Sequence, residues 1–348
     1  MALKYGYATQ GMFSFKTKEA SYGAAVTINS SNFFSLLGAK IKVEWPDLVA
    51  DDGDMITGSE FPTEQEIQEA DTRIIITEER AHPSFVAAAM ALATGSNTPA
   101  QDGALVAYRH LAVPMAAGSA MPSINAVVEL GGIKRLYKGL FAESVKISGQ
   151  KGGYINCELV LRGNGSRPAD VTAFVASISE SWLKVRNIRA WMESGANISI
   201  SATPAQGAED ISSATPDVLS NRFKSFEFSW SNNPEKQLDN LGVDHGVRAA
   251  ALKFGLTHND GTEVGYYEAQ DNLACEIDLD SGTIIASTGA FKYGLDMIFP
   301  LGRLKKAPLP DGGTTGILDA EYEVLLMDNG TDPLFKCYTY NAIAAFLA

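Results

Sequence analysis

Phe226-Glu227-Phe228-Ser229-Trp230 sets an aromatic ring at every second position and a polar side chain between. Period-2 alternation suits a β-strand with one face on a core and the other turned to water or a neighbour. The pattern recurs at Ile41-Lys42-Val43-Glu44-Trp45, Val145-Lys146-Ile147, Ile155-Asn156-Cys157-Glu158-Leu159 and Ala320-Glu321-Tyr322-Glu323-Val324. Glycine-rich turn signals separate the runs: Ser148 to Gly153, Asn259-Asp260-Gly261 and Asp328-Asn329-Gly330. Short alternating strands between such turns predict a mainly β chain of sandwich or barrel type.

One helix interrupts the pattern. Pro83 fits a first helical turn, where its missing N–H costs nothing. Phe85, Ala88, Ala89 and Leu92 follow at helical spacing and Gly95 is a natural stop, so an amphipathic helix is expected over 83–94, plugging an open face of the β-structure. Glu78 and Glu79 lie upstream, suited to its positive end. A weaker helix or an extended linker is expected over 169–180. Four irregular stretches, 47–71, 96–123, 201–217 and 305–316, are long for a compact monomer and read as arms or loops that order against neighbours. Ser144-Val145-Lys146-Ile147-Ser148 resembles Ser225-Phe226-Glu227-Phe228-Ser229, which suggests two related β-modules, residues 1–180 and 181–348.

Composition narrows the function. At 348 residues, 45% hydrophobic and 20% charged, the chain has material for a sizeable core or two. No window approaches the ~18–20 apolar residues of a membrane span, and the first residues lack a signal core, so the chain is expected to stay where it is made. Cys157, Cys275 and Cys337 are odd in number and lie in apolar runs, the pattern of reduced core residues. A formal charge of −13 opposes a phosphate-gripping role.

The sequence carries no recognisable catalytic or metal-binding pattern. His82, His110, His245 and His258 show no metal-ligand spacing and read as solvated loop residues. Asp51-Asp52-Gly53-Asp54 and Asp278-Leu279-Asp280-Ser281-Gly282 hint at calcium, but neither completes a calcium loop, and both read as solvated acidic turns. Nucleophile-elbow and phosphate-loop motifs are absent. No catalytic residue, cofactor or metal is therefore expected, nor enzymatic activity.

Several stretches, in order, resemble the tail tube proteins of long-tailed bacteriophages. They are Lys18 to Thr27 (with Ala24 where Thr is usual), Asp54 to Gly58, the helix with Gly95-Ser96, Phe141 to Gly149 with Gly153-Tyr154, Phe223 to Glu235, and Leu295 to Pro300. The resemblance implies tail-tube β-sandwich or barrel modules with a flanking helix and long loops. It implies a virion structural protein, assembled in the bacterial cytoplasm, whose copies pair around a hollow axis. The expected assembly is a ring of three two-module chains with pseudo-sixfold symmetry, or alternatively a homohexamer, with rings stacked head-to-tail. The implied partners are tape measure, tail tip and tail terminator proteins, with double-stranded DNA passing through unbound and no membrane. On this reading Ser144, Asn156, Glu158, Ser225, Glu227 and Ser229 are candidate lumen residues on an acid-and-hydroxyl surface that repels phosphate. Asp51, Asp52, Asp54 and Glu60 mark a candidate ring-stacking loop. The alternatives are a connector, decoration or pilus-like subunit, or a carbohydrate-binding β-sandwich using Trp182 or Trp191.

Overall fold

The computed structural model describes residues 4–8, 10–36, 38–45, 49–50, 65–66, 72–102, 105–163, 169–185, 188–194, 200–201, 205–211, 217–236, 243–258, 262–286, 291–306 and 319–348. Half of the chain is strand and 8% helix, so the mainly β class holds, with a flanking helix where one was expected.

The first half runs through β1 (Lys4–Tyr7), β2 (Gln10–Phe13), β3 (Phe34–Ser35), β4 (Lys40–Trp45), the small hairpin β5 (Val49–Ala50) and β6 (Gln65–Glu66), β7 (Arg73–Glu78), and α1 (Pro83–Thr94). Then come β8 (Thr98–Gln101), β9 (Tyr108–Ala112), β10 (Ile124–Leu130), β11 (Ile133–Gln150), β12 (Ile155–Arg162) and β13 (Ala169–Asp170). The second half runs through β14 (Arg189–Ser194), β15 (Asp217–Val218), β16 (Phe223–Ser231), the hairpin β17 (Pro234–Lys236) and β18 (Val243–His245), β19 (Ala249–Thr257), and α2 (Thr262–Ala269). It closes with β20 (Leu273–Ile284), β21 (Lys292–Leu304), β22 (Asp319–Leu326) and β23 (Lys336–Asn341).

All five alternating runs are strands of one antiparallel main sheet. Its order is β1–β4–β7–β12–β11–β16–β19–β22, finishing on the last residues of β21. Two long strands also join further sets of strands. The first part of β11 pairs with β10, which pairs with β2 and through it β3. The first part of β21 pairs with β20 and β23, which continue to β14 and β15 on one side and to β9 and β8 on the other. A register shift between Ala142 and Ser144 marks where β11 passes from one set to the other, the usual task of a bulge. The core fills the space between, with Ile147, Cys157, Phe228, Leu252 and Tyr322 fully buried.

Helix α1 spans the expected residues but is not amphipathic. Every one of its residues is buried, because it packs on β11 and also on β9 and β23. The run Ala87-Ala88-Ala89-Met90-Ala91 makes that possible: small side chains let strands approach on every side. Its ends are closed from afar. Glu180 accepts the Ser84 N–H (3.1 Å) and the Ser84 hydroxyl (2.5 Å). Glu78 accepts the His82 N–H at 3.0 Å. At the other end Gly95, at φ +77°, donates to Ala91 O at 2.9 Å. Asn232 Nδ2 and Trp230 Nε1 both donate to Ala93 O, at 2.8 and 3.1 Å.

Over 169–180 the linker alternative is the one found. After β13 the chain runs without helix, touching β3 through a Ser35–Ser177 bridge. Helix α2 follows a stretch that reads only as a turn, and its short Tyr-rich sequence carries little helical periodicity. The proposed repeat pair does not occupy equivalent places. Residues 144–150 of β11 and 225–231 of β16 are antiparallel neighbours, Ser148 opposite Glu227 and Ser144 opposite Ser231. Their likeness reflects a shared position at the middle of one sheet.

Candidate functional site

The main sheet has a core face and an open face, and the six candidate lumen residues all lie on the open one. Along β11, Val145 and Ile147 are buried while Ser144, Lys146 and Ser148 are partly exposed. Along β16, Phe226, Phe228 and Trp230 are buried while Ser225, Glu227 and Ser229 face the other way. Asn156 and Glu158 do the same on β12. Register brings them together: Ser148 lies between Asn156 and Glu227, and Lys146 between Glu158 and Ser229. Phe223 keeps its ring in the core because a bulge between Phe223 and Ser225 resets the alternation. The centre of the face is an open trough of about 1010 Å³, with Ser148, Asn156, Ser225, Glu227, Lys253 and Glu321 among its lining.

Electrostatically this face differs from the acid-and-hydroxyl surface expected. Lys146 pairs with Glu227 at 2.7 Å, and Lys253 approaches Glu321 at 3.9 Å. Lys305 pairs with Glu323 at 2.7 Å, and Lys42 with Glu44 at 2.6 Å. Opposite charges on facing strands favour the pairing. The two pairs with both partners exposed, Lys146–Glu227 and Lys253–Glu321, add little stability, about 0–1 kcal/mol each. Their consequence is that the face carries both signs side by side. Glu323 has its carboxyl held below the usual range, first by its hydrogen bond from Lys305, so it stays ionised and paired.

The sheet ends are open. Among the described residues, no strand pairs with the outer edge of β1, and residues 319–321 of β22 pair with β19 on one side and with no strand on the other. Asp51, Asp52, Asp54 and Glu60 lie outside the described residues.

Two expectations about polar residues are overturned. His82 and His110 are buried. His110 Nε2 lies 2.8 Å from Ile343 O, its ring packs on Phe346 at 4.7 Å, and burial holds its pKa down at about 4. Burial also opposes a charge on His82, but the hydrogen bond and charge of Glu78 outweigh it, so its pKa is raised. His82 Nε2 accepts the Trp182 indole N–H at 3.1 Å. Asp278 and Asp280 are not in a solvated turn: they lie in β20 and are 1% and 3% exposed. Of the alternative aromatics for a glycan platform, Trp191 is buried and Trp182 is exposed. The cysteines are free and buried, as expected of core residues.

The sequence reading missed a cluster in the second half. Asp210, Glu276 and Asp296 bring carboxylate oxygens within 4.8 Å of one another, all buried. The signal was present: Glu276, Asp278 and Asp280 alternate along one strand and so share a face. Alternation normally marks such a face as wet, and here the segment carrying Asp210 covers it.

No family model and no curated protein matches the chain.

Proposed function

We propose that this chain is a structural subunit that polymerises by strand pairing into stacked rings, the tail tube of a long-tailed phage. The open ends of the main sheet carry this reading. Among the described residues the outer side of β1 and the first residues of β22 are left open, each a template for a further strand, and ring closure would satisfy both at once.

The order of pairings supports two related modules. In the first half the sheet order is β4–β7–β12–β11, with a hairpin between β4 and β7 and a helix after β7. In the second half it is β16–β19–β22–β21, with a hairpin between β16 and β19 and a helix after β19. β2 and β3 on β10 correspond to β14 and β15 on β20. On this alignment β16 matches β4 and β11 matches β21.

Three such chains would contribute twenty-four strands. At about 4.8 Å between strands and about 40° of tilt, that barrel is about 48 Å across at the backbone. Side chains on the open face would leave a lumen wide enough for a DNA duplex. A surface of paired charges suits passage without capture, since Lys146, Lys253 and Lys305 each lie against a carboxylate rather than standing as a basic block for phosphates.

The test is electron microscopy of the concentrated full-length chain beside a variant lacking residues 1–7. Hollow rods or rings from the full chain, lost without β1, are expected. Monodisperse globules at every concentration, or rods of normal diameter from the truncated chain, would remove the basis of the proposal.

A further inference from the structure

We propose that Asp210, Glu276 and Asp296 form a calcium site that fastens the segment around 205–211 onto the face of β20 and β21. The site lies in the second half, outside the open face described above, and does not depend on the tube reading.

Its parts come from three places. Glu276 and Asp278 are two apart on β20 and share a face; Asp296 lies directly opposite Asp278 on β21. Tyr340 on β23 sits opposite Gly294, two residues from Asp296, and so shares that face. Asp210 arrives from above, on the segment between β14 and β15. Its N–H donates to Glu276 Oε2 at 2.8 Å, and its carboxylate accepts the Ala205 N–H at 3.0 Å.

The hydrogen bonds account for some of these oxygens and leave others. Asp278 is tied down through one oxygen: its Oδ2 takes Arg189 Nε at 3.0 Å and the Gly207 N–H at 2.7 Å, while its Oδ1 has no partner among the described residues. Glu276 Oε1 and both oxygens of Asp296 have no partner among the described residues. Asp296 is 1% exposed, so water does not solvate it from outside. The Tyr340 hydroxyl is a separate indication. It is fully buried, it has no hydrogen-bond partner among the described residues, and the charges of Asp296, Asp278 and Asp210 all act on it. An isolated buried carboxylate is costly, and native structures relieve it with a counter-charge, a metal or a proton.

Charge and donor type point to the ion. Five buried carboxylates, Asp210, Glu276, Asp278, Asp280 and Asp296, share three cations: Arg189 on Asp278 and Asp280, Lys292 on Asp280, and Arg109 acting on Asp210 from further off. That leaves two negative charges when all are ionised, which one divalent cation balances. Every donor is oxygen, the set preferred by hard cations. Oxygens spread over distances up to 4.8 Å fit bonds of about 2.3–2.6 Å to calcium, and magnesium demands a tighter octahedron. Burial, reinforced by the neighbouring acids, raises the Asp296 carboxyl well above its ordinary value and Glu276 to about 8, so without a cation the cluster holds protons instead.

The experiment uses the full-length chain, dialysed against a chelator and titrated with calcium chloride by calorimetry and thermal unfolding. Terbium serves as a second probe, since Trp191 lies opposite Glu276 and can sensitise its emission. One calcium per chain is expected, with a rise in Tm, weaker binding of magnesium, and terbium emission excited through tryptophan. Asp296→Asn should weaken binding about 10–100-fold or more, with a Tm no lower than that of the chelated wild type, because a buried charge is removed. Asp210→Asn, in the covering segment, is the second variant and should weaken binding similarly. Absence of binding at millimolar calcium, tighter binding of magnesium, or binding unchanged in either folded variant would overturn the site and leave protons as the counter-charge.

Discussion

Replacing Asn232 should destabilise the chain out of proportion to its size. This amide is fully buried and makes three hydrogen bonds: Nδ2 donates to Ala93 O at 2.8 Å and Ala142 O at 3.1 Å, and Oδ1 accepts the Trp230 indole N–H at 2.9 Å. It thereby joins the end of α1, strand β11 and strand β16. In Asn232→Ala, the Trp230 N–H still reaches Ala93 O at 3.1 Å, so the chief loss is at Ala142 O. Two lost donations at about 1 kcal/mol each, with part of a desolvation penalty, give about 2–3 kcal/mol. Asn232→Asp keeps the shape but sets carboxylate oxygens against two carbonyls. It loses the same donations and adds a buried charge, for a total of about 4 kcal/mol or more at neutral pH. Denaturant unfolding followed by Trp fluorescence measures both. The order Asp worse than Ala is the discriminating result. Two variants within about 0.5 kcal/mol of wild type would refute the claim that this side chain joins the three elements.

Further outcomes follow from the same geometry. Because Glu276 has a folded pKa near 8, above its ordinary value of 4.5, its protonated form supports the fold below about pH 4.5 and that support is lost as pH rises through 8. Chelated protein should therefore lose Tm between pH 5 and 8, with calcium reversing the loss at the upper end; a flat profile would contradict this. Lys146→Glu removes the pairing with Glu227 and sets like charges together. It should cost under about 1 kcal/mol of monomer stability but impair assembly, read by light scattering against ionic strength, and equal assembly at low salt would count against a role for the open face. Gly149→Ala places a methyl within 2.7 Å of Val185 and 2.9 Å of Ile155, so overpacking should cost about 1–3 kcal/mol in denaturant unfolding, and a neutral result would show that the site yields. The three thiols, buried and with Cys275 pushed up to about 12, should resist a thiol reagent until unfolding; labelling at native rates would show the core to be open.

Strand and helix identity were legible in the sequence because they rest on local periodicity. The alternation of Phe226 to Trp230 decides which side chains share a face whichever strand lies alongside, so the six open-face residues could be grouped in advance. The limits of α1 followed from Pro83 and Gly95, which restrict the backbone locally. Its full burial did not follow, because that depends on packing against β9 and, from the far end of the chain, β23.

Pairing partners, charge context and coverage were settled by the tertiary structure alone. Lys146 and Glu227 are far apart in sequence, and only the β11–β16 register makes their face a mosaic of both signs. Glu276, Asp278 and Asp280 alternate just as Ser225, Glu227 and Ser229 do, yet one set is buried and the other is open. Periodicity reports that a strand has two faces; whether the polar one meets water depends on what the rest of the chain lays over it.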